Sequence, residues 1–362
     1  MPHTVAALVR TTRLAAAAAA VPAIAAAQGA AAPGAAAPSP QRVIFDTDMG
    51  NDVDDALALA VLHAFESRGE SRLLAVTVTK DEPYAAPYVD LVNTFYGRPD
   101  IPIGVTHSGI TPQADFQTAV AQLRTANGAP LYPHDLVDGR RAPDATAVLR
   151  RALAAQPDGS VVLVQVGFST NLARLLDTPA DARSPLAGRE LVARKVRALY
   201  VMAGYFGPAE RAPSPDFVEF NVGQDVASAQ ALFARWPTPI EVSGFEVGDA
   251  VVYPGESIAR DFGYVAHHPV RDGYVRFRGA RWPYDRPSWD VTAVLEAIRP
   301  DRGYFGRSAP GRVTVDARGR VGFHPEPGGP HRYLTVSPEQ VIRAREAMVQ
   351  LASQPPSRVG AP

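Results

Sequence analysis

Five aspartates, Asp46, Asp48, Asp52, Asp54 and Asp55, fall within ten positions, between the apolar run Val43-Ile44-Phe45 and a second apolar stretch that starts at Ala56. The first run reads as a short buried strand, and Asp54 to Phe65 repeats Ala, Leu and Val at helical spacing. The segment is therefore a strand, a tight turn at Gly50 and a helix. Asp46 and Asp48 are two apart, so they leave one face of an extended chain together. Asp52 to Asp55 sit where a helix N-terminus favours negative charge. A helix end accounts for one or two carboxylates but not for five, whose mutual repulsion demands a counter-charge. No arginine lies within the segment, so the expected counter-charge is a hard, oxygen-seeking cation such as Ca²⁺ or Mg²⁺.

The rest of the chain says what kind of fold carries this turn. Apolar, β-branched runs recur at Leu73 to Thr79, Ile101 to Val105, Val161 to Val166, Val196 to Met202 and Ile240 to Val242. Between them lie helical patterns over Pro87 to Tyr96 and Ala145 to Ala155, with another helix starting near Thr170. Near-continuous apolar strands separated by helices predict an α/β fold, a doubly wound, mostly parallel sheet covered on both faces. The expected domain is a single large one over 42–352, with a small late β-hairpin at Val313 to Phe323 and a closing helix from Pro338 to Leu351. In such sheets ligands bind beyond the carboxyl ends of the strands, where the aspartates lie.

The ends of the chain read differently. Arg10 and Arg13, then an alanine-rich apolar run, then small residues form the layout of a secretory signal peptide over 1–27, which predicts an exported, periplasmic or secreted protein. That run is too short and weakly apolar to span a membrane, so no stable membrane anchor is expected. Residues 28–41 read as an Ala/Pro-rich linker and 353–362 as a disordered tail. The absence of cysteine excludes disulfides, thiolate nucleophiles and Cys-ligated metals. With 36 basic against 37 acidic residues, a nucleic-acid partner is not expected. The Arg-rich stretch Arg271 to Arg286 is expected as a loop around the mouth of the site, and His267-His268 as a solvent-exposed pair.

Three metal motifs compete for the aspartate turn. An EF-hand counted from Asp46 fails, with Gly50 at its fifth position and Leu57 at its twelfth. Two aspartates two apart after a first strand also suit a metal-dependent phosphohydrolase with Asp46 as nucleophile. The third is a resemblance. Asp46-Thr47-Asp48-x-Gly50 followed by Asp54-Asp55-Ala56-x-Ala58-Leu59 resembles the inosine–uridine-type nucleoside hydrolase family. Val166-Gly167-Phe168-Ser169-Thr170-Asn171, Met202-Ala203-Gly204, Glu219-Phe220-Asn221 and Trp289-Asp290 resemble further motifs of that family, in its order.

That resemblance implies Ca²⁺-dependent hydrolysis of the N-glycosidic bond of ribonucleosides to ribose and free base. It implies one Ca²⁺ held by Asp48, Asp55, the backbone carbonyl of Val166 and Asp290, with Asp48 as the general base on a water. Asp54, or Asp52 in its place, would bind the sugar together with Met202, Glu219 and Asn221. Trp289 stands where one branch of the family has a His that protonates the leaving base. An indole cannot do so at neutral pH, but it can stack on a purine. The expected partner is a small-molecule nucleoside, with a homo-oligomer as the possible assembly. The remaining alternative is a non-catalytic, calcium-dependent nucleoside- or sugar-binding protein on the same fold.

Overall fold

A computed structural model describes residues 39–278 and 282–357, together with Met1, His3 and Thr4. Apart from Met1, His3 and Thr4, the expected signal peptide lies outside the described residues, as do most of the expected linker and the end of the expected tail. The first half alternates strands and helices: β1 (Gln41–Thr47), α1 (Asp54–Ser67), β2 (Ser71–Val78), α2 (Ala85–Phe95), β3 (Ile103–Val105), α3 (Ala145–Ala154), β4 (Val161–Gln165), α4 (Thr170–Leu176), α5 (Gly188–Lys195) and β5 (Val196–Met202). The middle carries α6 (Phe220–Gln224), α7 (Val226–Arg235), β6 (Ile240–Ser243), α8 (Phe245–Ala250), β7 (Val252–Tyr253), α9 (Gly255–Arg260), α10 (Pro269–Arg278) and β8 (Arg286–Pro287). The chain ends with α11 (Trp289–Ile298), β9 (Gly306–Arg307), β10 (Gly311–Val315), β11 (Val321–Pro325), β12 (His331–Thr335) and α12 (Pro338–Ala352).

The main sheet runs β11-β10-β12-β6-β5-β4-β1-β2-β3. From β12 to β3 all neighbours pair in parallel, while β10 pairs antiparallel with both β11 and β12. The β3-β2-β1-β4-β5-β6 stretch is the doubly wound order, in which the winding reverses between β1 and β4. A crevice opens at such a switch point because the connections on either side leave for opposite faces. The expected late hairpin, β10-β11, extends this same sheet at its edge.

Burial follows from the layering. Val43, Ile44 and Phe45 of β1 have no exposed surface, since both faces of the strand are covered and both faces are apolar. Helix α1 is buried along most of its length, packed on α11, α12 and β2. An all-round apolar helix needs such enclosure. Two expectations fail. Residues 269–278 form helix α10, in which Val270 and Tyr274, four apart, are buried. His268 is wholly buried, not exposed; its Nε2 pairs with the Tyr264 hydroxyl at 2.8 Å, and its ring packs on Phe95 and Phe262.

Candidate active site

Strand β1 delivers the aspartates to the switch point and then stops at Thr47. Asn51 N–H donates to the Asp48 carbonyl at 3.2 Å, closing a turn in which Gly50 takes φ +118°. A side chain there would be strained by that φ and would also strike Thr118. Lys80, just past β2, is only 1% exposed and pins the turn. Its amine donates to Asn51 Oδ1 at 2.9 Å and to the Thr111 carbonyl at 3.0 Å, and it pairs with Asp115 at 3.1 Å. Asn51 Nδ2 in turn donates to Asp48 Oδ2 at 2.7 Å.

Two helix N-termini meet below the turn. Asp54 and Asp55 occupy the first turn of α1, and Asp290 the first turn of α11. One carboxylate oxygen from each lies within 4.8 Å of the other two. The Asp290 N–H donates to Asp54 Oδ2 at 3.0 Å, and Thr47 Oγ1 donates to Asp55 Oδ1. Burial, compounded by the neighbouring carboxylates, pushes all three well above the ordinary carboxylate range. Asp48 is pushed up to about 6, by burial first, while the Asn51 hydrogen bond and the Lys80 charge pull it down. An all-oxygen, buried, mutually repelling donor set fits a hard divalent cation. Asp48 lines the same cavity but stands outside that converging triple.

The counter-charge expectation needs one correction. Arg286, 234 positions away, forks onto Asp52, with Nε 3.0 Å from Oδ1 and Nη2 on Oδ2. The fold thus brings across the site an arginine that the segment itself lacks. Asp46 also departs from its neighbours. It is fully buried, Oδ1 accepts from Thr77 Oγ1 and Asn171 Nδ2, and burial pushes it up to about 7. It does not line the cavity.

That cavity encloses about 450 Å³. One wall comes from the segment after β5. Glu219 caps α6, its Oε1 accepting from Asn221 N at 2.9 Å and its Oε2 from Gly204 N and Val222 N at 3.2 Å. Burial raises it to about 7 despite those bonds. Asn221 Nδ2 donates to the Val166 carbonyl at 2.7 Å and to the Met202 carbonyl at 3.3 Å. The Val166 oxygen thus already accepts one proton and retains a second lone pair. Aromatic side chains complete the lining: Phe217 and Phe220 flank Glu219 on that same segment, and Phe245, Phe277 and Trp289 come from other parts of the chain. Trp289 Nε1 donates to the Phe245 carbonyl at 3.0 Å, its ring stacks on Phe245 with centroids 5.4 Å apart, and it packs closely on Gly248. Phe277 and Arg286 also line the cavity; both belong to the Arg-rich stretch 271–286 expected around the mouth of the site, although Phe277 lies on a helix there and not on a loop.

The fold and site can be set against known proteins. The family model described as inosine-uridine preferring nucleoside hydrolase matches residues 43–345. A purine-preferring ribonucleoside hydrolase from Gardnerella vaginalis superposes with a TM-score of 0.64 at 18% identity, over 86% of this chain and 99% of that one. An inosine-uridine preferring nucleoside hydrolase from Bacillus anthracis gives a TM-score of 0.64 at 17% identity, over 86% and 99% of the two chains. A plant nucleoside hydrolase gives 0.58 at 20% identity, over 87% and 100%. At these identities the structural likeness is one of fold. No curated protein matches the chain.

Proposed function

The chain belongs to the inosine-uridine preferring nucleoside hydrolase family and is a hydrolase of N-glycosyl bonds, and from that premise we propose that it cleaves ribonucleosides to ribose and free base with the help of one Ca²⁺. Asp48, Asp55, Asp290 and the Val166 carbonyl are the proposed ligands, with Asp54 completing the carboxylate floor. A hard cation held there would bind the vicinal hydroxyls of the sugar and lower the pKa of a water.

The chain's own groups supply the remaining chemistry. Asp48 takes the proton of the attacking water, oriented by Asn51, which Lys80 fixes in turn. Asp54 and Glu219 accept hydrogen bonds from sugar hydroxyls. Asn221 spends its amide protons on the backbone, so its carbonyl oxygen is the atom offered to the sugar. As the C1′–N bond lengthens, positive charge grows on the sugar ring, and the carboxylates around it stabilise that charge. The aromatic rings of Phe245, Phe277 and Trp289 receive the flat base and exclude water from it.

One observation carries this reading: carboxylates from Asp54 and Asp290, 236 positions apart, converge with Asp55 at a cavity lined by both hydrogen-bond acceptors and aromatic rings. The test is ribose release across a panel of nucleosides, with Ca²⁺ and with chelator. We expect turnover that stops in chelator and in Asp48→Asn. Saturable nucleoside binding without turnover would instead identify a non-catalytic binding protein. The phosphohydrolase alternative is disfavoured, because Asp46 lies outside the cavity with one oxygen held by Thr77 and Asn171. Phosphate release from an aryl phosphate, abolished in Asp46→Asn, would reinstate it. We also propose export, on the Arg10–Ala27 pattern; a mature protein that still begins at Met1 in the producing cells would refute it.

A further inference from the structure

Cleaving an N-glycosidic bond leaves an electron pair on the base, and the group that receives this charge should lie on the wall facing the base. The lining offers each half of the substrate matching chemistry. Sugar hydroxyls are donors and match Asp54 and Glu219; a flat base with ring nitrogens and carbonyl oxygens matches aromatic faces and a donor. Four side chains lining the cavity carry N–H groups: Asn51, Asn221, Trp289 and Arg286. Asn51 is committed to Asp48, Asn221 to the Val166 and Met202 carbonyls, and Trp289 to the Phe245 carbonyl.

Arg286 differs from these three. Its guanidinium carbon stands 5.2 Å from the centroid of Trp289 and 5.5 Å from that of Phe277, so it stands among the aromatic rings on which a flat base would pack. Asp52 engages Nε and one N–H of Nη2. That fork fixes the plane of the guanidinium and leaves the N–H groups of Nη1 outside it, for an arginine carries five. Among the described residues lining the cavity it is the single cation. It remains charged across the working pH range, and a partly desolvated site strengthens its pull on a developing anion.

We propose that Arg286 is the catalytic residue on the leaving-group side, its guanidinium donating hydrogen bonds to the departing base as negative charge builds there, with Asp52 as the positioning residue that aims it. The C1′–N bond breaks with its electron pair going to the base. The water oxygen bonds to C1′ and gives up a proton to Asp48. The base leaves as an anion paired with Arg286 and takes a proton from solvent. No proton donor is then needed where Trp289 stands. This inference rests on the N-glycosidase reading above.

The test compares two leaving groups, inosine, whose base is a poor anion, and 4-nitrophenyl β-D-ribofuranoside, whose phenolate leaves unaided. We expect Arg286→Met to lower kcat/KM for inosine by about 100-fold or more and for the aryl riboside by less than about fivefold. Asp52→Asn/Arg286→Met, which leaves no unpaired carboxylate, should show the same selective loss and so guards against misfolding of the single variant. Equal losses on both substrates, or recovery of inosine turnover in the double variant, would show that Arg286 only neutralises Asp52. Failure of the wild-type protein to turn over either substrate would overturn the N-glycosidase reading itself, and this assignment with it.

Discussion

Gly167, the residue after the Val166 carbonyl, offers a direct test of how finely the Asp48 turn is placed. A Cβ at this position would stand 2.5 Å from Asp48 N, 2.5 Å from Thr79 Oγ1 and 2.6 Å from the Thr47 carbonyl carbon. Ordinary contact begins at 3.4 Å, so in Gly167→Ala the neighbours must yield by about 0.9 Å. Two of these atoms are backbone at the end of β1, which is paired on both sides with β2 and β4 and yields poorly. Overpacking of this kind costs about 1–3 kcal/mol, a fall in Tm of about 2–8 °C. The same displacement moves Asp48, and a shift of about 1 Å in a reacting group can reduce the rate by about 100-fold. The assay pairs a thermal melt with kcat/KM for ribose release. Gly159→Ala is the control: Gly159 has φ +60° with nothing within 4 Å of its Cβ, so it should lose about 1–2 kcal/mol of stability and no activity. A Gly167→Ala enzyme within about threefold of wild-type kcat/KM would show that the backbone following β4 does not set the position of Asp48.

The other expected outcomes concern charge. Burial raises Asp46 and Glu219 to about 7 and Glu296 to about 8, so near neutrality the folded, metal-free protein binds protons that the unfolded chain has released. Stability therefore falls as pH rises through these values. Buried His63, His268 and His331, lowered to about 3, 3 and 4, oppose this only below 6.5, so the Tm of chelated protein should drop between pH 6.5 and 8. Ca²⁺ should reduce that slope by holding the site carboxylates ionised, and a Tm that rises across the window would contradict the burial argument. Asp290→Ala should weaken Ca²⁺ binding at least about tenfold by calorimetric titration, and an unchanged isotherm would remove Asp290 from the ligand set. Lys80→Met loses three bonds of a buried amine, to Asn51, Thr111 and Asp115. It should lower the unfolding free energy by about 2–4 kcal/mol in a denaturant titration, and an unshifted midpoint would show that the amine does not hold the turn.

Much of this molecule was readable along the chain wherever a local pattern carried the information. The apolar strands β1, β2, β4 and β5 and the helices α1, α3 and α12 came within a few residues of their expected limits, because each buries a face that its periodicity advertises. The short helices α8 and α9 and the two-residue β7 and β8 have no such period and were missed. Asp46 and Asp48 show the limit of a face argument. An extended chain would send both to the same side, yet β1 ends between them, so Asp46 is roofed over within the sheet while Asp48 lies past the carboxyl end of the strand and lines the cavity.

What the sequence by itself determined was the charge problem: five carboxylates packed into one strand-to-helix junction, inside a chain that must wind a parallel sheet. Local spacing is enough for that, since repulsion and hydrophobic period act between near neighbours. What only the tertiary structure decided was how the problem is divided. Arg286 neutralises Asp52, Thr77 and Asn171 shelter Asp46, and Asp54, Asp55 and Asp290 are left to converge on one point. Those pairings join residues up to 236 positions apart. Electrostatic interaction falls with distance through space and is indifferent to distance along the chain, so their assignment waited on the fold.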